Sequence, residues 1–225
     1  MAKINKKEYF VVKNTIPNCI SELFCPHYCI SCGKIGGILC SCCKKYITPS
    51  KNRVCLTCGG WLENGHCLSC ALPFERQFYV SERDGILRRL IEIYKYNSVR
   101  AAASLLAEAL KSAIDGDYTL VPLPTINRHI RERGFDHVGL ICKKTGLPME
   151  RVLLRGNNAV QVGASLEQRR EQAKSAYLLG KIDLNKNYCL VDDVWTTGSS
   201  MMAAAELMRA AGIKNLAIGV IARSI

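Results

Sequence analysis

Long apolar runs are missing from this chain. No segment approaches the roughly 18 consecutive apolar residues that a bilayer-spanning helix needs, so a membrane span is not expected. Residues 1–13 are polar and basic, without the apolar stretch of a secretory signal, and the expected location is cytoplasmic. Acidic side chains are in short supply: 19 Asp and Glu stand against 31 Lys and Arg, a net charge of +12. Residues 1–76 carry ten basic and four acidic side chains and residues 77–225 carry 21 and 15, so the first part is the more densely charged. A surplus of this sign suits phosphorylated ligands, nucleic acid or an anionic surface without choosing among them. Cysteine is almost absent after Cys70. Only Cys142 and Cys189 remain there, both in apolar segments where a buried structural thiol is the expectation.

What is present is concentrated. Eleven of the 13 cysteines fall between Cys19 and Cys70. In a reducing compartment such crowding points to metal rather than disulfides. Four Cys-x2-Cys knuckles follow in order: Cys29/Cys32, Cys40/Cys43, Cys55/Cys58 and Cys67/Cys70. Each can present two thiolates to a tetrahedral zinc, and eight ligands make two closed structural sites. Sequential pairing gives two short ribbons, and alternating pairing gives a cross-braced module; the short intervening segments favour the first. Cys42 could substitute for its neighbour, and Cys19, Cys25, His27 and His66 are left over. The expected organisation is an extension over 1–24, a zinc module over 25–76 and a larger domain over 77–225.

The larger domain centres on residues 189–200, Cys-Leu-Val-Asp-Asp-Val-Trp-Thr-Thr-Gly-Ser-Ser. An apolar strand over 188–191 runs into Asp192 and Asp193. Thr196, Thr197, Gly198, Ser199 and Ser200 then lead into a helix of strong formers over 199–211, stopped by Gly212. A strand, a small-residue loop and a helix N-terminus form an anion cradle. Two carboxylates beside it would repel a bare anion, but they are strong acceptors for sugar hydroxyls. Phosphate in the loop and hydroxyls on the aspartates together describe a ribose 5-phosphate. The plainer alternative is a helix-capping turn.

Around this stretch, a strand is expected over 78–81, helices over 86–96 and 98–114, and a strand over 118–123 that ends at Pro122 and Pro124. Three arginines precede a helix over 136–145; a strand over 152–154, a helix over 165–175 and a strand over 216–222 follow. Strand–helix alternation predicts a parallel sheet flanked by helices, with ligands at the C-terminal strand ends.

The 189–200 stretch resembles the signature of type I phosphoribosyltransferases, which bind phosphoribosyl pyrophosphate (PRPP); Trp195 replaces the usual aliphatic residue and could either narrow the sugar pocket or pack beneath the loop. The chain as a whole resembles the ComF family. The likeness is carried by the knuckles, Gly85-Ile-Leu-Arg-Arg-Leu-Ile91, Tyr94-Lys-Tyr96, Val121-Pro-Leu-Pro124, Arg131-Glu-Arg-Gly-Phe135 and Gln161-x-Gly163 with Arg169. Ala164-Ser165 and Gln172 depart from that pattern. The resemblance implies a double zinc ribbon joined to a phosphoribosyltransferase fold, with a tie to DNA uptake in natural transformation. It also implies PRPP with magnesium as ligand. Asp192 and Asp193 would take the ribose hydroxyls, residues 196–200 the 5-phosphate, and Arg131, Arg133 or Arg169 the pyrophosphate. The alternative for each arginine is a solvated helix face.

No side-chain set reads as a nucleobase site, and no His or Glu stands out as a general base. Two functions therefore remain open. One is a phosphoribosyltransferase whose acceptor the sequence does not specify. The other is a catalytically silent PRPP- or nucleotide-gated adaptor that handles single-stranded DNA beside an import helicase, with the ribbons as docking surface; Trp61, Tyr46 and Lys44/Lys45 could face the strand, and ordinary packing and solvation explain them equally well.

Overall fold

The computed structural model describes residues 28–47, 49, 54–96, 99–156 and 177–224. The chain divides into two compact units, residues 1–40 and 41–225. In the first, Gly33 at φ 73° closes a knuckle in which its N–H donates to the Cys29 carbonyl (2.9 Å). Positive φ costs glycine nothing, which is why the turn can be so tight.

The second unit opens with a one-turn helix, α1 (Ser41–Lys44). A minute hairpin follows, β1 (Leu62–Glu63) against antiparallel β2 (His66–Cys67). Its two turn residues, Asn64 (φ 49°) and Gly65 (φ 84°), both take positive φ. An Asn-Gly pair is what a two-residue hairpin of this kind selects.

The main sheet has four parallel strands in the order β3 (Arg76–Glu82), β8 (Leu216–Arg223), β7 (Tyr188–Trp195) and β4 (Thr119–Pro122). The central strands are buried on both sides, so they read as continuous apolar runs rather than alternating ones. Between β3 and β4 lie α2 (Gly85–Tyr96) and α3 (Ala102–Ala113). Leu87, Leu90, Ile91 and Tyr94 form the buried stripe of α2, at the spacing of one helical face. After β4 come α4 (Asn127–Arg133) and α5 (His137–Thr145). Asp136 is the N-cap of α5, accepting from the Gly139 N–H (3.2 Å). A side hairpin joins β5 (Leu153–Arg155) to antiparallel β6 (Tyr177–Leu179), and α6 (Ser199–Ala210) links β7 to β8. Tyr188 and Leu190 of β7 share a core cluster with Met201, Ala204 and Met208 of α6.

The parallel sheet with flanking helices matches the expected fold class. Three details differ from the sequence reading. The arginine-bearing stretch is itself a helix, α4. Strand β7 continues through both aspartates to Trp195, because β8 goes on pairing with it after β4 has left at Val191. Helix α3 starts at Ala102 rather than at 98. The helix expected over 165–175 lies outside the described residues.

Candidate functional site

At the C-terminal end of β7, successive side chains point to opposite sides of the strand. Asp192 lines two adjoining hollows, whereas Asp193 lies behind it, buried. The adjacency that made the pair look like one unit in sequence is the reason they separate in space.

The smaller hollow, about 60 Å³, is lined by Asp192, Trp195 and all of residues 196–200. Gly198 sits in the left-handed region (φ 72°) as N-cap of α6, and no side chain caps the helix. Apart from a long contact of the Ser199 N–H to Thr197 Oγ1 (3.5 Å), the N-cap supplies no side-chain acceptor to the first turn, and the helix dipole favours an anion there. Thr197 Oγ1 and Ser199 Oγ lie 2.9 Å apart across the loop. Trp195 is buried at 4% exposure, and its ring lies directly beneath Gly198. Of the two placements expected for the indole, the structure has it packed under the loop.

The larger cleft, about 240 Å³, shares Asp192 and Ser200 with the smaller one and is floored by Leu123 and Pro124 after β4. Its lining is rich in cationic and imidazole groups: Lys95, His129, Arg133, His137 and Arg155. Among the described lining residues Asp192 is the one carboxylate. Of the three candidate arginines, Arg133 lines the cleft, Arg131 is exposed on α4 outside that lining, and Arg169 lies outside the described residues.

Lys95, Thr125, His129, His137, Arg155 and Tyr177 are polar lining residues that sequence reading did not assign to the site. Lys95 had a signal, standing in the Tyr94-Lys-Tyr96 motif, and His137 directly follows a helix-capping aspartate. Nothing in the sequence flags Arg155 or Tyr177, which reach the cleft only through the β5–β6 hairpin.

Charge is arranged in layers. Asp193 Oδ2 pairs with Lys95 Nζ and lies 3.1 Å from His137 Nε2. Burial opposes ionisation of Asp193, but His137 and Lys95 outweigh it and hold its carboxyl well below the usual range. Burial, reinforced by the neighbouring Asp193 charge, pushes Asp192 up to about 7. Arg133 Nη1 lies 3.0 Å from His137 Nδ1 and 3.5 Å from its Nε2, against the face of the ring, and Thr125 Oγ1 lies 3.3 Å from Nδ1. Thr125 in turn donates to Asp136 (2.9 Å), which is clamped by Arg151 (2.6 Å).

The cysteines form two clusters, Cys29/Cys32/Cys40/Cys43 and Cys55/Cys58/Cys67/Cys70, with the ligand atoms of each within 4.8 Å of one another. This is the sequential pairing. Zinc–thiolate bonds of about 2.3 Å give a tetrahedron with edges of about 3.8 Å. Cys32 and Cys40 sulfurs are 3.6 Å apart, as are those of Cys58 and Cys67, so both clusters fit such an ion. None of the described cysteines is in a disulfide, and Cys42 is exposed outside the clusters. Cys19, Cys25 and His27 lie outside the described residues. The second cluster is tied to the sheet: buried Gln77 of β3 donates to Cys55 Sγ (3.5 Å) and accepts from the Leu56 N–H (3.0 Å).

No family model matches the chain. Among curated proteins, Competence protein F of Haemophilus influenzae is 26% identical over 214 residues, covering 83% of this chain and 90% of that protein. The DNA utilization protein YhgH of Escherichia coli K12 is 26% identical over 190 residues, covering 76% and 83%. Competence protein ComFC of Bacillus subtilis is 24% identical over 192 residues, covering 80% and 77%. Among solved structures, an allosteric regulatory enzyme of purine biosynthesis overlaps with a TM-score of 0.37 and 17% identity, over 55% of this chain and a quarter (25%) of its own. A hypoxanthine phosphoribosyltransferase from Staphylococcus aureus gives 0.36 and 11% identity, over 57% and 73%. Overlaps this partial carry no weight by themselves.

The structure thus combines a parallel sheet flanked by helices, a hydroxyl-rich loop at a strand end and two four-cysteine clusters that could each hold a metal ion. At about 25% identity over most of its length, the chain is similar to proteins named for competence and DNA utilization. No described helix is long and apolar enough to cross a membrane.

Proposed function

We propose that this protein binds PRPP at the C-terminal end of β7 and serves DNA uptake or utilisation in the cytoplasm. The observation that carries the ligand reading is the position of Asp192 where the two hollows meet. An anion-favouring helix N-terminus on one side suits the 5-phosphate. A cation-lined cleft on the other suits the pyrophosphate. A carboxylate between them suits the ribose hydroxyls, which are donors. Asp193, turned away, supports the site through Lys95 and His137. Arg133, Arg155 and Lys95 are the groups for the pyrophosphate, with Arg169 as a further candidate from outside the described residues and Arg131 less well placed.

Magnesium typically keeps several waters and binds through one or two carboxylates plus substrate phosphates. One lining carboxylate does not make a cage, so the ion would arrive on the pyrophosphate of the ligand. When bound, it would neutralise charge on the departing oxygens. Zinc in both cysteine clusters would be structural, since four thiolates leave no open position and the segments are too short for a core of their own. The tie to DNA rests on relatives named for competence and DNA utilization.

A second reading is favoured by one observation: Trp61 and Leu68 on the second ribbon are 74% and 80% exposed. Bare apolar side chains there suit an adaptor that stacks single-stranded DNA or docks a helicase without turnover. Titration of PRPP and magnesium into zinc-loaded protein, calorimetrically, tests the ligand. Saturable binding lost in Asp192→Ala supports the site; affinity retained in that variant refutes it. Repeating the titration with single-stranded DNA tests the coupling.

A further inference from the structure

Resting on the PRPP reading, we infer that the inward face of the β5–β6 hairpin holds the ligand at both ends, Tyr177 by positioning the Ser200 hydroxyl on the 5-phosphate and Arg155 by meeting the pyrophosphate. The hairpin presents two unlike faces, because successive residues of a strand alternate sides. Leu154 and Leu178, partners in the register, are 56% and 58% exposed on the outer face. Arg155 and Tyr177, the next pair in the register, therefore stand together on the inner face, and both line the larger cleft. Arg155 Cζ lies 5.9 Å from the centre of the Tyr177 ring, and Arg155 Nη1 makes a long contact to the Pro124 carbonyl (3.4 Å).

Tyr177 is 5% exposed and shares the core cluster of Met201 and Ala204, so its ring is fixed beside the start of α6. Burial pushes its phenol above the usual range, and a side-chain hydrogen bond with Ser200 offsets part of the rise. The hydroxyl thus keeps its proton and stands against Ser200. Tyr177 lines the larger cleft but not the smaller hollow, whereas Ser200 lines both. Its effect on a phosphate in the smaller hollow therefore passes through that serine. A serine hydroxyl rotates freely and can both donate and accept. When Tyr177 donates to Ser200 Oγ, the serine proton is left for a phosphate oxygen, and a bond to an ionised acceptor is the stronger kind.

Arg155 works from the same face. Its guanidinium fork suits the oxygens of a diphosphate in the cation-lined cleft. One short hairpin thus bears on both ends of a single ligand, while a fragment carrying only one end engages half of it. Joining the two ends in one molecule incurs the entropic cost of association once. The ligand class that this face selects is a pentose with a phosphate at one end and a diphosphate at the other, in preference to either part alone.

The test titrates the zinc-loaded full chain, with magnesium, against PRPP, ribose 5-phosphate and pyrophosphate, the two fragments being read by displacement of PRPP. Tyr177→Phe keeps the ring and its packing and loses only the hydroxyl. It should bind PRPP and ribose 5-phosphate about tenfold more weakly, and pyrophosphate within about twofold of wild type. Arg155→Gln should show the reverse pattern, weakened for PRPP and pyrophosphate and unchanged for ribose 5-phosphate. Ser200→Ala, at an exposed position, tests the same link without touching the core. It should weaken PRPP as Tyr177→Phe does, and the double variant should bind little worse than either single one, since both remove one interaction. Three results would overturn the inference: Tyr177→Phe with wild-type affinity for PRPP, Tyr177→Phe that loses pyrophosphate as much as ribose 5-phosphate, or losses that add in the double variant. Arg155→Gln that binds all three ligands like wild type overturns it as well. Wild type that binds no PRPP overturns the ligand reading on which it rests.

Discussion

Gly198 lies directly over the indole of Trp195, so closely that a methyl group added at its α-carbon would overlap the ring. The backbone there also has φ 72°, which L side chains rarely adopt. Loop and tryptophan are thus one unit, in which the bulky ring sets the height of the loop and glycine is the residue that permits it.

Gly198→Ala should therefore lower both stability and affinity for phosphorylated ligand. Strain and overlap together should cost about 2–3 kcal/mol, which for a chain of this size is a fall of roughly 5–10 °C in melting temperature. Thermal unfolding with and without PRPP measures both. An unchanged melting temperature would mean that the indole does not support the loop.

Asp192 leads to a pH prediction. Its folded pKa, near 7, lies above the ordinary value of 3.8, so the folded state holds a proton that the unfolded chain has released between those limits. Stability from this group is therefore full below about pH 4 and falls as pH rises towards 7. Asp193 has the opposite sign: its pKa is depressed, and its contribution is kept above about pH 4 and lost in stronger acid. Asp192→Asn should stabilise the protein at pH 8 more than at pH 5 while abolishing PRPP binding. Denaturant melts at the two pH values, paired with calorimetry, check it.

The second cysteine cluster should be thermodynamically part of the larger unit. Gln77 is 1% exposed and is shared between Cys55, the Leu56 N–H and strand β3. Chelation of metal should then lower the melting temperature of the whole unit rather than melt the ribbon alone. Gln77→Leu, which leaves the Leu56 N–H without its acceptor, should cost about 1–3 kcal/mol and speed metal loss to a chelator. Metal content by mass spectrometry should read two zinc ions per chain.

Arg209, near the end of α6, donates to the carbonyls of Pro73 (2.9 Å), Ile213 (2.9 Å) and Lys214 (2.5 Å) and pairs with Glu75. Glu75 accepts in turn from the Leu216 N–H at the start of β8 (2.8 Å). Arg209→Lys keeps the charge and loses the planar fork. It should cost about 1–2 kcal/mol because the partly buried carbonyls keep only one donor among them. PRPP binding, at the opposite end of the strands, should be unchanged.

The sequence by itself determined the two cysteine clusters and the strand–loop–helix of the site, whereas the expected division at residues 24 and 76 is not the one the compact units follow, which falls after Cys40. Cysteine knuckles two residues apart have little freedom other than to cluster, and their short separations favoured the sequential pairing that the structure has. An apolar run, a pair of aspartates and a small-residue loop before a strong helix former likewise fix a strand, turn and helix locally. These are matters of chain connectivity and propensity, legible within a dozen residues. The Asn64-Gly65 turn of the β1–β2 hairpin is equally local.

Tertiary structure decided which of those residues share a site. Asp192 and Asp193 are neighbours in the chain, but strand alternation gives one to the cleft and the other to a buried Lys95–His137 pair. Those two partners come from the end of α2 and the start of α5, 98 and 56 residues before Asp193 in the chain. Arg155 and Tyr177 join the cleft only because a side hairpin folds back over it. Local pattern carries no information about such encounters, because they depend on how strands order themselves in the sheet. That order, β3-β8-β7-β4, sets a cationic, histidine-bearing cleft against a loop that the sequence could describe only alone.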